Sequence, residues 1–215
     1  MDDPSLPDST SVDAASGPSP SSSEAAPSNP PSIEGLQERL AHGDETAFEH
    51  LFRQLSEPVF RFICGMVNDE ALAHDLTQDT FAKLWSIRDR LNTIGSLRAY
   101  VFQMARHRVY NQQRSEEVRR DNQAELKRLH PDASPPSPDR TLDARLLQDL
   151  LDEWVAELPK RQREALLLRR QNNLSHDEIA AVMDISPKTV NNHLVRAMKR
   201  LRRRLYNHRP DLRSS

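Results

Sequence analysis

From Ile33 onward apolar residues recur three and four positions apart. The whole chain holds only five glycines, and no β-branched residues alternate with polar ones, so the pattern predicts helices and no sheet. The spacing predicts helices over 33–42, 44–67, 69–87 and 96–114, with Asn92-Thr93-Ile94-Gly95 as a break and Ser96 as the next cap. Residues 115–140 are polar and end in His130-Pro131-Asp132-Ala133-Ser134-Pro135-Pro136-Ser137-Pro138, which cannot continue a helix and reads as a linker. Fully extended, such a linker would reach at most roughly 90 Å. Helical spacing resumes from Thr141 to Leu158 and from Pro159 to Gln171, and a shorter helix pair follows. Residues 1–32 are rich in Ser, Pro and Asp and are expected to be a disordered tail. The expected fold is all-α: two small helical domains, 33–114 and 141–206, joined by a flexible linker over 115–140, with a short tail at 207–215.

The final helix pair, LSHDEIAAVMDISPKTVNNHLVRAMKRLRRRL from Leu174 to Leu205, has the most specific pattern. Ser175 and Glu178 have capping-box spacing, and Leu174 and Ile179 are placed for a hydrophobic staple across that cap. Ala180 is small enough for a second helix to cross closely. The chain must then reverse at Asp184-Ile185-Ser186, where a left-handed residue is expected and Asp tolerates it. Ser186 can cap the second helix, and Pro187 suits its first turn. Val190, Leu194, Ala197, Met198 and Leu201 form its expected apolar face, with Lys188, Asn192, Arg196, Lys199 and Arg203 opposite. This reads as a helix-turn-helix. Asn can pair bidentately with adenine and Lys can reach guanine acceptors, whereas the Arg and Lys of the C-terminal half suit phosphates.

Charge sharpens this picture. The formal net charge is −2. Residues 1–32 carry Asp2, Asp3, Asp8, Asp13 and Glu24 with no Lys or Arg, so the remainder is net positive, with its cations concentrated toward the end. The pI of about 6.5 therefore does not argue against nucleic acid as a partner. The acidic tail is expected to compete with DNA for the basic face. Mean hydropathy of −0.75 fits a chain of which part builds no core. The single Cys64 excludes an intramolecular disulfide and fits a reducing compartment, and it reads as a small core residue. The eight His show no ligand spacing, so no metal or cofactor is expected. No signal peptide and no apolar run long enough to span a bilayer is evident, so membrane insertion is not expected and the protein is expected in the cytoplasm. No Walker loop, nucleophile–base arrangement or catalytic carboxylate cluster stands out, and no enzyme activity is expected.

Two further segments carry candidate contacts. In DLTQDTFAKLW, residues 75–85, Asp75, Gln78, Asp79 and Ala82 share one side of a helix, while Phe81, Leu84 and Trp85 can enter a core. The exposed acidic, amide-bearing side suits a basic protein partner or is simply solvated. In SLRAYVFQMARHRVYNQQR, residues 96–114, Arg98, Arg106, Arg108 and Arg114 interleave with Tyr100, Phe102 and Tyr110, and no acid is present. Rings with Arg suit single-stranded DNA, although a core helix with charged edges has the same composition.

These segments, in this order and with this linker, resemble a bacterial RNA polymerase sigma factor of the small extracytoplasmic-function group, over residues 33–206. The resemblance implies three sets of contacts. Asp75, Gln78, Asp79 and Ala82 would meet the clamp helices of the polymerase β′ subunit. Arg98, Tyr100, Arg106, His107, Arg108, Tyr110 and Arg114 would open and hold the −10 element. Ser186, Lys188, Thr189, Asn191, Asn192, Arg196, Lys199 and Arg203 would read the −35 element. It also implies core RNA polymerase (β′ and β subunits) and promoter DNA as partners, an anti-sigma factor as a further partner, and association with the nucleoid within the holoenzyme. Two departures from the family pattern are conservative: Asp184 stands where glycine is frequent, and Asn172-Asn173 replaces Glu-Gly before Leu174. Two rivals remain at this point. One is a helix-turn-helix regulator independent of polymerase, which would need a receiver or ligand domain that 33–114 does not resemble. The other is a sigma-like adaptor without initiation activity, which would open no promoter.

Overall fold

The structure, a computed structural model, describes residues 32–123, 142–172 and 174–208; the expected tail at 1–32, apart from Ser32, and the proline-rich stretch of the expected linker lie outside the described residues. Its elements are α1 (Ile33–Ala41), α2 (Glu45–Val67), α3 (Glu70–Ser86), a 3-10 helix (Arg88–Thr93), α4 (Leu97–Gln123), α5 (Leu142–Ala156), α6 (Lys160–Asn172), α7 (His176–Met183) and α8 (Pro187–His208). Among the described residues no strand occurs, and the fold is all-α as expected.

Local chemistry fixes the helix starts. Ser32, Asp44, Asp69 and Ser175 each accept backbone N–H groups at the head of a helix, which removes orphan donors there. The Thr46 hydroxyl, the Arg39 guanidinium and the Ala47 N–H hold the Asp44 carboxyl far below the usual carboxylate range. Asn68 ends α2 in a left-handed conformation (φ 58°), its N–H donating to the Cys64 carbonyl at 2.8 Å. Asn adopts this conformation more readily than most residues.

The first helical part is built around α2, which buries Ala47, Leu51, Leu55, Val59, Phe62, Ile63 and Met66. It packs on α1, α3 and α4. Phe102 of α4 is fully buried and meets Phe62 edge-on at 5.8 Å between ring centroids. A 3-10 helix over Arg88–Thr93 runs into the expected break at 92–95, and the Gln37 side-chain amide ties this stretch to α1 by donating to the carbonyls of Leu91 and Ile94 at 2.7 Å each.

One boundary differs from the expectation. Residues 115–123 continue α4 instead of beginning the linker. Ser115-Glu116-Glu117-Val118-Arg119-Arg120-Asp121-Asn122-Gln123 contains neither Gly nor Pro, and a polar helix needs no apolar stripe where it projects beyond its neighbours.

The second part, α5 to α8, packs α6 on α7 and α8, and α7 on α8. The capping box of α7 is complete: the Glu178 N–H donates to Ser175 Oγ (3.1 Å) and the Ser175 N–H to Glu178 Oε2 (2.9 Å). Leu174 and Ile179 are fully buried across it. Ser175→Ala is expected to cost about 1 kcal/mol, read as a lower chemical-denaturation midpoint with unchanged slope. Asp184 takes the left-handed conformation (φ 55°, ψ 53°) required by the turn. One expected core position of α8 fails: Met198 is 49% exposed, while Val190, Leu194 and Ala197 are buried. α5, α6 and α7 all pack on α8, and this side chain stays outside what they cover.

The two parts also pack on each other, α2 against α6 and α4 against α7. Gly65 makes the α2–α6 approach feasible, since a Cβ there would come within 2.9 Å of both Leu167 methyl carbons.

Candidate nucleic-acid and polymerase interface

The side chains expected to act divide among α3, α4 and α8. On α3, Asp75, Gln78, Asp79 and Ala82 are all exposed, with Phe81 and Leu84 buried behind them. Asp79 is not independent of the neighbouring helix: its Oδ2 accepts from Arg108 Nη1 at 3.0 Å. Phe52 of α2, which the sequence did not single out, is a large ring 40% exposed and set edge-on to Phe81 at 4.9 Å. Its signal was weak, because Phe48 and Phe52 both sit at helical spacing and only packing distinguishes the exposed one.

The α4 residues split into two groups. His107 and Arg114 are exposed, and Arg98, Tyr100 and Arg108 are half-buried, Tyr100 packed against the core. Arg106 and Tyr110 instead face the second helical part. Arg106 is 8% exposed, and its Nε donates to Oε1 of Glu164, a fully buried carboxylate on α6. The Tyr110 hydroxyl donates to Glu164 Oε2 at 2.9 Å, and Arg161 approaches the same oxygen at 3.4 Å. The Tyr110 ring lies against Lys160 Nζ at 4.1 Å and the Arg106 guanidinium at 4.7 Å. Burial, followed by the Glu164 charge, raises the Tyr110 pKa, so the ring stays neutral and its hydroxyl remains a donor. Phe102, one of the rings interleaved with Arg in the sequence, belongs to the core instead.

A second link lies at the head of α4. Ser96 Oγ donates to Glu178 Oε1 at 2.9 Å, so one carboxylate completes the α7 cap and joins α7 to α4. Burial pushes Glu178 up, but the Ser175 N–H, the Ser96 hydroxyl and nearby Arg98 outweigh it, and its pKa is lowered overall.

On α8 the expected face is open. Ser186, Lys188, Asn191, Asn192, Arg196, Lys199 and Arg203 are exposed and Thr189 is half-buried. Ser186 Oγ accepts the Thr189 N–H at 3.2 Å and lies 2.8 Å from Thr189 Oγ1, so both hydroxyls serve the cap. Toward the C-terminus Arg196, Lys199, Arg200, Arg202 and Arg203 line a cleft of about 630 Å³ with Tyr206. Arg204 is withdrawn from that set by an ion pair with Glu157. A helix with short amides at its N-terminal end and cations along the rest can place the former in a major groove and the latter on phosphates. Among the described residues no cluster of His, Cys, Asp and Glu could hold a metal ion, and no helix is long and apolar enough to cross a membrane.

Comparison with known proteins finds two family models along the chain. Residues 51–119 match the family "Sigma-70 region 2", and residues 148–201 match "Sigma-70, region 4". The chain is similar to the RNA polymerase sigma factor CarQ of Myxococcus xanthus, with 31% identity over 170 residues covering 77% of this chain and 92% of the relative. It is also similar to the ECF RNA polymerase sigma factor SigM of Bacillus subtilis, with 29% identity over 161 residues covering 74% of this chain and 94% of the relative. A solved structure of the sigma factor RpoE in complex with the anti-sigma factor NepR from Bartonella quintana has a TM-score of 0.63 and 25% identity, covering 74% of this chain and 96% of that one. Regions 2 and 4 occur in that order in a chain matching such relatives over nearly their whole length, so the protein belongs to the extracytoplasmic-function group of sigma-70 factors and directs RNA polymerase to promoters.

Proposed function

We propose that promoter-directed initiation is divided among three helix faces of this chain. The α3 face of Asp75, Gln78, Asp79 and Ala82 docks on the clamp helices of the polymerase β′ subunit. The α4 residues Arg98, Tyr100, Arg106, His107, Arg108, Tyr110 and Arg114 capture the −10 non-template strand, offsetting an unstacking cost of a few kcal/mol per base. The α8 residues Ser186, Lys188, Thr189, Asn191, Asn192, Arg196, Lys199 and Arg203 bind the −35 element, with Ser186 and Thr189 shaping the helix head. Region 2 spans 33–123 in this reading, region 4 spans 142–208, and the residues between pass the β subunit near the RNA exit path. Tethering two weak DNA contacts raises their joint affinity through effective concentration.

The observation that carries the reading is the open face of α8: an exposed Asn192 between exposed cations on a helix begun by a Ser186 cap. Asn192→Ala is expected to change −35 preference by ~1–3 kcal/mol at one base position, measured by holoenzyme binding to single-base promoter variants. A uniform loss across all variants would make Asn192 a backbone contact instead.

The chain performs no chemistry of its own in this reading; the polymerase does. It works in the cytoplasm, on the nucleoid when part of the holoenzyme. The RpoE structure is a complex with an anti-sigma factor, which supports a comparable inhibitor for this chain.

A further inference from the structure

We propose that the cleft between α6 and the C-terminal half of α8 binds a purine nucleoside polyphosphate. The phosphates lie on the α8 cations, the base stacks on Tyr206, and a base N–H donates to the side-chain oxygen of Gln162. The site shares Arg196, Lys199 and Arg203 with the −35 reading, while Gln162, Arg200, Arg202 and Tyr206 stand outside it.

Gln162, in the first turn of α6, is among the described residues the one that lines the cleft from outside α8. It is 8% exposed, and its side-chain oxygen is buried and accepts no hydrogen bond from the described residues. A buried amide oxygen without a donor is costly, and a donor brought by a bound molecule removes that cost. DNA phosphates cannot supply it, because they only accept. A recessed amide also cannot reach into the groove of a duplex, so a base must come to it unpaired. A purine edge sets an N–H beside an acceptor, and the two ends of a glutamine amide match that pair bidentately.

The cations fix the other end of the ligand. Arg196, Lys199, Arg200, Arg202 and Arg203 line the cleft, and among the described residues no acid does. None of the five is paired with a carboxylate of the described residues, whereas neighbouring Arg204 is held by Glu157. Like charges three and four positions apart repel along a helix, and an anion among them relieves the repulsion. A polyphosphate gathers several charges at one end of a small molecule. That suits five cations around one cleft better than backbone phosphates spaced along a strand. Tyr206 is half-buried at the same cleft, and a base stacks on such a ring whatever its sequence context. The volume of about 630 Å³ lies within the roughly 300–1,000 Å³ of small-molecule sites.

The test titrates the full chain with ATP and, in parallel, with inorganic triphosphate, by calorimetry at about 50 mM salt, where charge contacts are weakly screened. ATP should bind about tenfold more tightly than inorganic triphosphate, since only ATP carries a base. Gln162→Leu and Tyr206→Ala should each weaken ATP binding about tenfold and leave triphosphate binding unchanged. Gln162→Leu replaces an unpaired buried amide by an apolar group, so helical content and thermal midpoint should not fall. Holoenzyme binding to promoter DNA should be unchanged in both variants, because neither residue belongs to the −35 face, and the two readings therefore fail separately. ATP binding no tighter than inorganic triphosphate would overturn the proposal and leave the cleft as a surface for DNA phosphates only. Wild-type ATP affinity in both variants would overturn it as well.

Discussion

Phe102→Ala should destabilise the first helical part by about 3–5 kcal/mol, a large share of the roughly 5–15 kcal/mol that holds a typical domain together. The ring is fully buried and lies edge-on to Phe62, another fully buried ring. α1, α2, α3 and α4 all bury residues in the same cluster, so the neighbours of Phe102 are tightly constrained and a cavity there collapses poorly. Thermal and denaturant unfolding should both register the loss. Phe102→Leu should recover most of it, because it restores most of the volume. If Phe102 stacked on a base instead, alanine would leave stability near wild type and weaken only oligonucleotide binding.

A double substitution on α3, Asp75→Arg with Gln78→Arg, should weaken binding to core polymerase by about thirtyfold or more. That corresponds to roughly 2 kcal/mol, the size of an interface hot spot. Both positions are exposed, and Arg is a good helix former, so helical content and thermal midpoint should stay near wild type. Asp79 is left out because its carboxylate receives Arg108, and changing it would disturb α4 as well. The loss should grow as salt is lowered, because the introduced cations would repel a basic partner. Full polymerase binding by the double variant would remove this face from the interface.

The helix-turn-helix was legible because its signals are local. The capping box, the left-handed Asp184 and Pro187 in the first helical turn each follow from neighbours a few positions away. That Asp75, Gln78, Asp79 and Ala82 share an exposed side of α3 was legible from periodicity, whereas a docking role for it came only from the resemblance. The end of α4 was not, because polar residues were read as linker although nothing in 115–123 breaks a helix. The pairing of Arg106 with Glu164 was missed for a different reason: it is a contact between elements far apart in sequence. A local hint existed in both cases. Arg106 lies four residues after Phe102 and three before Val109, on the buried side of α4, and Glu164 lies three and four residues before the buried Leu167 and Leu168. A charge sharing a helix face with core residues needs a counter-charge, but a sequence does not say which one. Met198 was misplaced because helical spacing does not say how much of the α8 surface the neighbouring helices cover.

The most direct measurement is start-site mapping of RNA made in vitro by core polymerase from fragmented genomic DNA of the source organism, with and without this chain. Chain-dependent starts preceded by two shared elements at fixed spacing are expected, with the upstream element shifting its preferred base in Asn192→Ala. No new starts, with active core polymerase and a folded chain, would contradict promoter recognition by these helices.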